Sequence, residues 1–186
     1  MFKIELNNNF AKNQVLDVGC SDRPLGDVNI DLYTHFTHRG ESIIQVQADG
    51  KFLPFKDNSF GLVRSQHVVE HLENPYAFIR EIARVTRKYV YIATPNAHNW
   101  RYIIHDDLDS YGDIKIAHRY QGFSAKCLSQ MFKFAGLKVV KVVYTPITDP
   151  YSEKWAPRKL DRFLKWIPRF NLREIQVLGK KITHKS

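Results

Sequence analysis

Cysteine is nearly absent from this chain, and long apolar runs are missing altogether. The only cysteines, Cys20 and Cys127, have no metal-like spacing; two alone make no disulfide framework, which points to a reducing compartment. No apolar stretch approaches the roughly 18 residues that a membrane span needs, so no stable membrane insertion is expected. Met1 to Leu6, followed by three asparagines, lack the apolar core of a signal peptide, and a cytoplasmic location is the expectation. There is no internal repeat and no low-complexity segment. A G-x-G-x-x-G run is also missing, which weakens a dinucleotide-binding reading.

What is present describes a packed globule. A hydrophobic fraction of 44% and an aromatic fraction of 13% over 186 residues support one sizeable core and leave no room for two full domains. A single domain over 1–186 is therefore expected. The net charge is +9, and residues 151–186 carry +7 of it, with ten Lys/Arg against three Asp/Glu. Such a basic end attracts nucleic acid, anionic lipid or an acidic substrate, or simply solubilises the chain.

Short apolar segments alternate with helical patterns, the signature of a parallel sheet wrapped by helices. Strands are expected at 15–18, 28–32, 43–47, 60–64, 89–93, 137–144 and 174–182. A helix is expected over 75–87, where Pro75 suits the first turn and Phe78, Ile79, Ile82 and Val85 share a face. A second follows Ser124 as N-cap and runs through Ala135, with Gly136 as its stop. Two irregular stretches, about 97–122 and 146–173, are long enough to suggest function. Both follow strands, so both are expected at the sheet's carboxyl edge, where open α/β sheets bind ligands.

Three features carry candidate chemistry. The first strand ends in Asp17-Val18-Gly19-Cys20, and a glycine there lets the backbone turn sharply and approach a ligand closely. Asp31 closes the second strand, placed to accept from ribose hydroxyls. The run Ala48-Asp49-Gly50-Lys51-Phe52-Leu53-Pro54-Phe55-Lys56-Asp57-Asn58-Ser59-Phe60 then leads into the fourth strand.

Together with Val15 to Cys20, that run resembles the class I methyltransferases of the type 11 group. His118, Phe123-Ser124, Leu128, Ala135-Gly136-Leu137 and Val177 to Lys181 resemble the group's C-terminal segment. The resemblance spans about 13–182. It implies an α/β fold with a doubly wound, mostly parallel seven-stranded sheet, an antiparallel last strand and S-adenosylmethionine as cofactor. By the same resemblance, Asp17, Gly19 and Cys20 line the methionine part, Asp31 binds the ribose hydroxyls and Leu32 packs on adenine. Asp49 accepts from the adenine amino group with Gly50 nearby, and Gln66 and His67 face the sulfonium and the substrate.

The chain departs from the group's pattern in two places. Ser21 and Asp22-Arg23-Pro24-Leu25 stand where further glycines are usual, and Asp31 follows Gly19 by only twelve residues. The interval is too short for a normal crossover helix, which is expected to shrink to a turn or two.

His67-Val68-Val69-Glu70-His71 reads literally as H-x-x-E-H, an inverted zinc-peptidase signature. If helical, residues 67, 70 and 71 share a face on which two imidazoles and a carboxylate meet a divalent ion. The chain lacks the context of a peptidase, so Glu70 and His71 are expected to cap and orient the turn, and no metal site is assigned. Between Trp155 and Phe170, Leu160, Phe163, Leu164 and Ile167 form an apolar stripe flanked by cations. That pattern suits a lid with a basic outer face, an interfacial helix or an RNA-contacting surface. His98, His105 and His118 are further candidate bases, because histidine titrates near neutrality.

These readings converge on a methyltransferase acting on a small-molecule acceptor, with His67 the first candidate base and His118 the second. The alternatives are a noncatalytic nucleoside- or RNA-binding module using the basic C-terminal segment, and a metal-dependent enzyme built on His67, Glu70 and His71. Oligomeric state is left open by the sequence.

Overall fold

A computed structural model describes residues 14–21, 24–33, 44–99, 121–145 and 174–182. Seven strands form one sheet: β1 (Val15–Val18), β2 (Val28–Asp31), β3 (Ile44–Gln47), β4 (Phe60–Gln66), β5 (Thr86–Pro95), β6 (Leu137–Thr145) and β7 (Glu174–Lys181). Their order is β3-β2-β1-β4-β5-β7-β6. All pairs are parallel except those of β7, which runs antiparallel to β5 and β6. The chain winds outward in both directions from β1 and β4, so the crevice above their carboxyl ends is the switch point where such sheets take ligands.

Helix α1 (Pro75–Val85) and helix α2 (Ala125–Phe134) lie against one face of the sheet. Asn74 caps α1 by accepting from the Ala77 N–H at 3.0 Å, and Ser124 caps α2 by accepting from the Cys127 N–H at 3.1 Å. Phe78, Ile79, Ile82, Leu128 and Phe132 are fully buried on Leu16, Val63, Val90, Ile92 and Val177. Each such side chain contributes about 1.5–3 kcal/mol by leaving water.

α1 stops at Val85, two residues before the expected end, and β5 starts at once. The reason is tertiary: the Lys181 ammonium donates to the carbonyls of Ala83, Arg84 and Thr86 at 2.8–3.2 Å, collecting acceptors that a helix end leaves open. β4 runs two residues past the expected Arg64, because Ser65 and Gln66 pair with Ile92 and Ala93 on β5.

The shortened first crossover is more extreme than expected. Among the described residues between Val18 and Val28, none is helical. Instead the Asp27 N–H donates to the Val15 carbonyl at 2.9 Å, and Asp27 Oδ2 accepts from the Val15 N–H at 2.7 Å. Nine residues must carry the chain from the carboxyl edge back to the amino edge, and a helix rising 1.5 Å per residue would consume that length. Gly26 is required by close approach: a Cβ there would stand 2.7–2.8 Å from three backbone atoms of β1 and Val28.

Candidate active site

The carboxyl edge gathers most of the residues that the sequence singled out. Gly19 turns the chain at φ +78°, and the N–H groups of Gly19 and Cys20 both donate to the Ile30 carbonyl, at 2.7 and 3.1 Å. Val68 packs on Gly19 so closely that a Cβ would lie 2.1 Å from its Cγ2. Ser21 adopts φ +47°, so the loop keeps a left-handed turn without the expected glycine. The Ser21 N–H donates to Asp31 Oδ2 at 2.8 Å, and the Tyr33 N–H donates to Asp31 Oδ1 at 3.1 Å. Asp31 is thereby fixed at the end of β2, next to the exposed Leu32.

On the neighbouring edge, Asp49 Oδ1 accepts from the Lys51 N–H at 2.9 Å, and its other oxygen faces Lys51 Nζ at 3.4 Å. Gly50 is packed against the Phe78 ring of α1. Cys20 is buried, and its thiol is pushed up to about 11 by burial, with Asp17 and Asp31 adding to the effect. It is uncharged at neutral pH, which makes it a poor nucleophile.

The sheet face away from α1 and α2 carries a polar row that the sequence showed only in part. Asp17 and Arg64 are register partners on β1 and β4. Asp17 Oδ2 accepts from the Leu25 N–H at 3.0 Å, while Oδ1 stands 3.6 Å from Arg64 Nε. Burial pushes the Asp17 carboxyl up, against the pull of Arg64 and the Leu25 amide. Arg64 also donates to Gln66 Oε1, and Gln66 Nε2 donates to the Tyr91 hydroxyl at 3.3 Å.

His67 follows at φ +54°. The expected helical face of residues 67, 70 and 71 does not form: the helical turn is a 3-10 turn, Val69–His71, and His67 precedes it. His67 nonetheless reaches Glu70, with Nδ1 3.3 Å from Oε1, and its Nε2 lies 3.0 Å from Glu174 Oε2 at the start of β7. Burial pulls His67 down, but the hydrogen bonds to Glu174 and Glu70 outweigh it and lift the imidazole to about 9. Both ring nitrogens therefore donate at neutral pH. Glu174 also accepts from Thr145 Oγ1 at 2.8 Å and Gln176 Nε2 at 2.6 Å, and Glu70 accepts from Thr94 Oγ1 at 2.9 Å. Burial raises the Glu174 carboxyl, and these donors, His67 first, more than reverse it.

Among the described residues, no group of three or more His, Cys, Asp or Glu side chains is arranged to hold a metal ion. His105, His118, most of the stretch 97–122, the stretch 146–173 and the stripe within Trp155 to Phe170 lie outside the described residues. Arg64 and Glu174 were missed by the sequence reading. Arg64 stands at the end of the expected apolar strand, and Glu174 is 107 positions from the histidine it meets; neither has a local signal.

Among the described residues, no helix is long and apolar enough to cross a membrane. Residues 16–94 match the family model described as "Methyltransferase domain". No curated protein matches the sequence. Among solved structures, an S-adenosylmethionine-dependent methyltransferase of Thermotoga maritima is 13% identical and superposes with a TM-score of 0.67 over 94% of this chain and 87% of that one. One of Methanosarcina mazei is 13% identical, with a TM-score of 0.65 over 99% and 100%. The cyclase SpnF also matches, at 13% identity and a TM-score of 0.57, over 91% of this chain and 74% of that one. At these identities the likeness is one of fold, and the same fold carries more than one chemistry. The chain has the Rossmann-like fold of the S-adenosylmethionine-dependent methyltransferases on which it superposes, and residues 16–94 carry the match to the methyltransferase-domain model.

Proposed function

We propose that this protein transfers a methyl group from S-adenosylmethionine to a small-molecule acceptor. The observation that carries the reading is Asp31, a carboxylate fixed by two backbone amides at the switch-point crevice. Each of its oxygens accepts one N–H and keeps a second lone pair, a pair of acceptors for the two hydroxyl donors of a ribose diol. Leu32, half exposed beside it, offers an apolar surface to a base. Asp17, Gly19 and Cys20 would line the methionine part, Asp49 and Gly50 the adenine side, and Gln66 the sulfonium. When bound, the cofactor supplies an electrophilic methyl group.

The chain's own contribution is to hold two reactants in line, which accounts for much of the acceleration of such a transfer. His67, Glu70 and Glu174 form a recessed polar group on the acceptor side, suited to orienting a small polar molecule. His67 carries a proton at neutral pH and gives both N–H groups to Glu70 and Glu174, so it holds that cluster together there and becomes a base only once a proton is lost. An acceptor that is already nucleophilic needs no such step. RNA as the acceptor rests on the basic C-terminal segment and is tested alongside.

Calorimetric titration with S-adenosylmethionine and S-adenosylhomocysteine, with NADH as control, tests the cofactor. Saturable binding of the first two, weakened in Asp31→Ala and Asp49→Ala, is expected. Absence of binding at millimolar ligand refutes the reading. RNA retention that falls steeply with salt, without methyl transfer, would favour the noncatalytic binding module instead.

A further inference from the structure

Arg64 is the one described cation buried within the central sheet, and the reading above gives it nothing to do. The residue is 9% exposed, yet its Nε is buried without a hydrogen-bond partner among the described residues. The nearest carboxylate oxygen, Asp17 Oδ1, stands 3.6 Å away, beyond a hydrogen bond. Asp17 meanwhile gives its other oxygen to the Leu25 N–H. The two charges thus face each other across a gap, with the Arg64 Nε donor unused. An orphaned donor on a buried guanidinium is costly, and persists where something else completes it.

The pair occupies a telling place. Asp17 and Arg64 are adjacent in register on β1 and β4, the two strands that flank the switch point. The guanidinium donates to the side chain of Gln66, the last residue of β4, at the carboxyl edge. Its side chain keeps 11% exposure, and that of Asp17 keeps 5%. Side by side, an anion and a planar cation complement a ligand that carries an ammonium and a carboxylate on one carbon. A guanidinium matches a carboxylate with two parallel N–H donors, which a lysine does not.

We infer that Arg64 and Asp17 together form a receptor for the zwitterionic amino-acid end of the cofactor, with Arg64 taking the α-carboxylate and Asp17 Oδ1 the α-ammonium. The inference rests on the cofactor reading above and adds a specificity-determining residue to it. It also explains how a loop with Ser21 in place of glycine retains its ligand: part of the hold comes from the strands beneath the loop instead of from the loop amides.

The test is calorimetric and needs no acceptor. S-adenosylhomocysteine, its decarboxylated counterpart and methylthioadenosine are titrated into the wild-type chain and into Arg64→Gln and Arg64→Lys. The wild type is expected to prefer S-adenosylhomocysteine over the decarboxylated ligand by roughly 10- to 100-fold, the range of charge-assisted hydrogen bonds. Arg64→Gln should lose that preference by weakening only the ligand that has a carboxylate, with Arg64→Lys in between. Equal weakening of both ligands would mean a structural role and overturns the inference, as does a wild type that does not discriminate.

If Arg64→Gln fails to fold, the Nε–H resonance of Arg64 in nitrogen-labelled wild type decides. It should shift with S-adenosylhomocysteine and stay in place with methylthioadenosine; an equal response to both overturns the assignment. If none of the three ligands binds, the cofactor reading itself falls and this inference falls with it. If all three bind alike, only the role of Arg64 is lost.

Discussion

Raising the pH from 6 to 9.5 should discharge His67 and destabilise the protein measurably. The imidazole is held between Glu70 and Glu174 and titrates near 9 instead of near 6.5. Its folded pKa lies above its unfolded one, so the stabilisation is fully present below about 6.5 and is lost as the pH climbs through about 9. Unscreened, that shift corresponds to about 3 kcal/mol. The ring is 43% exposed, and solvent screening reduces the contribution to about 1 kcal/mol. For a chain of this size such a loss lowers the melting temperature by about 2–4 °C.

The assay is chemical denaturation at half-unit pH steps, with the His67 ring followed by NMR. Glu174→Gln should remove most of the slope and bring the His67 titration down toward the ordinary histidine range. A His67 titration near 6.5 in the wild type, or an unchanged slope in Glu174→Gln, refutes the reasoning.

Lys181→Met should cost about 1–3 kcal/mol in denaturation, because the carbonyls of Ala83, Arg84 and Thr86 lose their shared donor. Gly19→Ala should cost about 2–4 kcal/mol, from φ +78° and the clash with Val68 together; adding Val68→Ala should restore the steric part only, and full recovery would show that the backbone angle carries no strain. Asp31→Ala should weaken S-adenosylhomocysteine binding by roughly 10- to 100-fold in calorimetry, and an unchanged affinity removes Asp31 from the site. His67→Ala should lower turnover and leave cofactor affinity nearly intact, measured once an acceptor is in hand.

The sequence by itself determined the elements and one side of the site. Short apolar segments marked every strand, and Pro75, Ser124 and Gly136 marked helix ends through local chemistry that needs no distant partner. Asp17, Gly19, Asp31 and Asp49 were legible because they sit at strand ends in a fixed order along the chain. What only the tertiary structure decided are the pairings across strands. Arg64 reads as the end of an apolar strand until β1 brings Asp17 beside it. His67 reads as a candidate base within an H-x-x-E-H run until its positive φ places it ahead of the helical turn and β7 delivers Glu174. Charge states depend on such neighbours and on burial, so the sequence supplied the titratable groups and the fold decided which of them hold a proton.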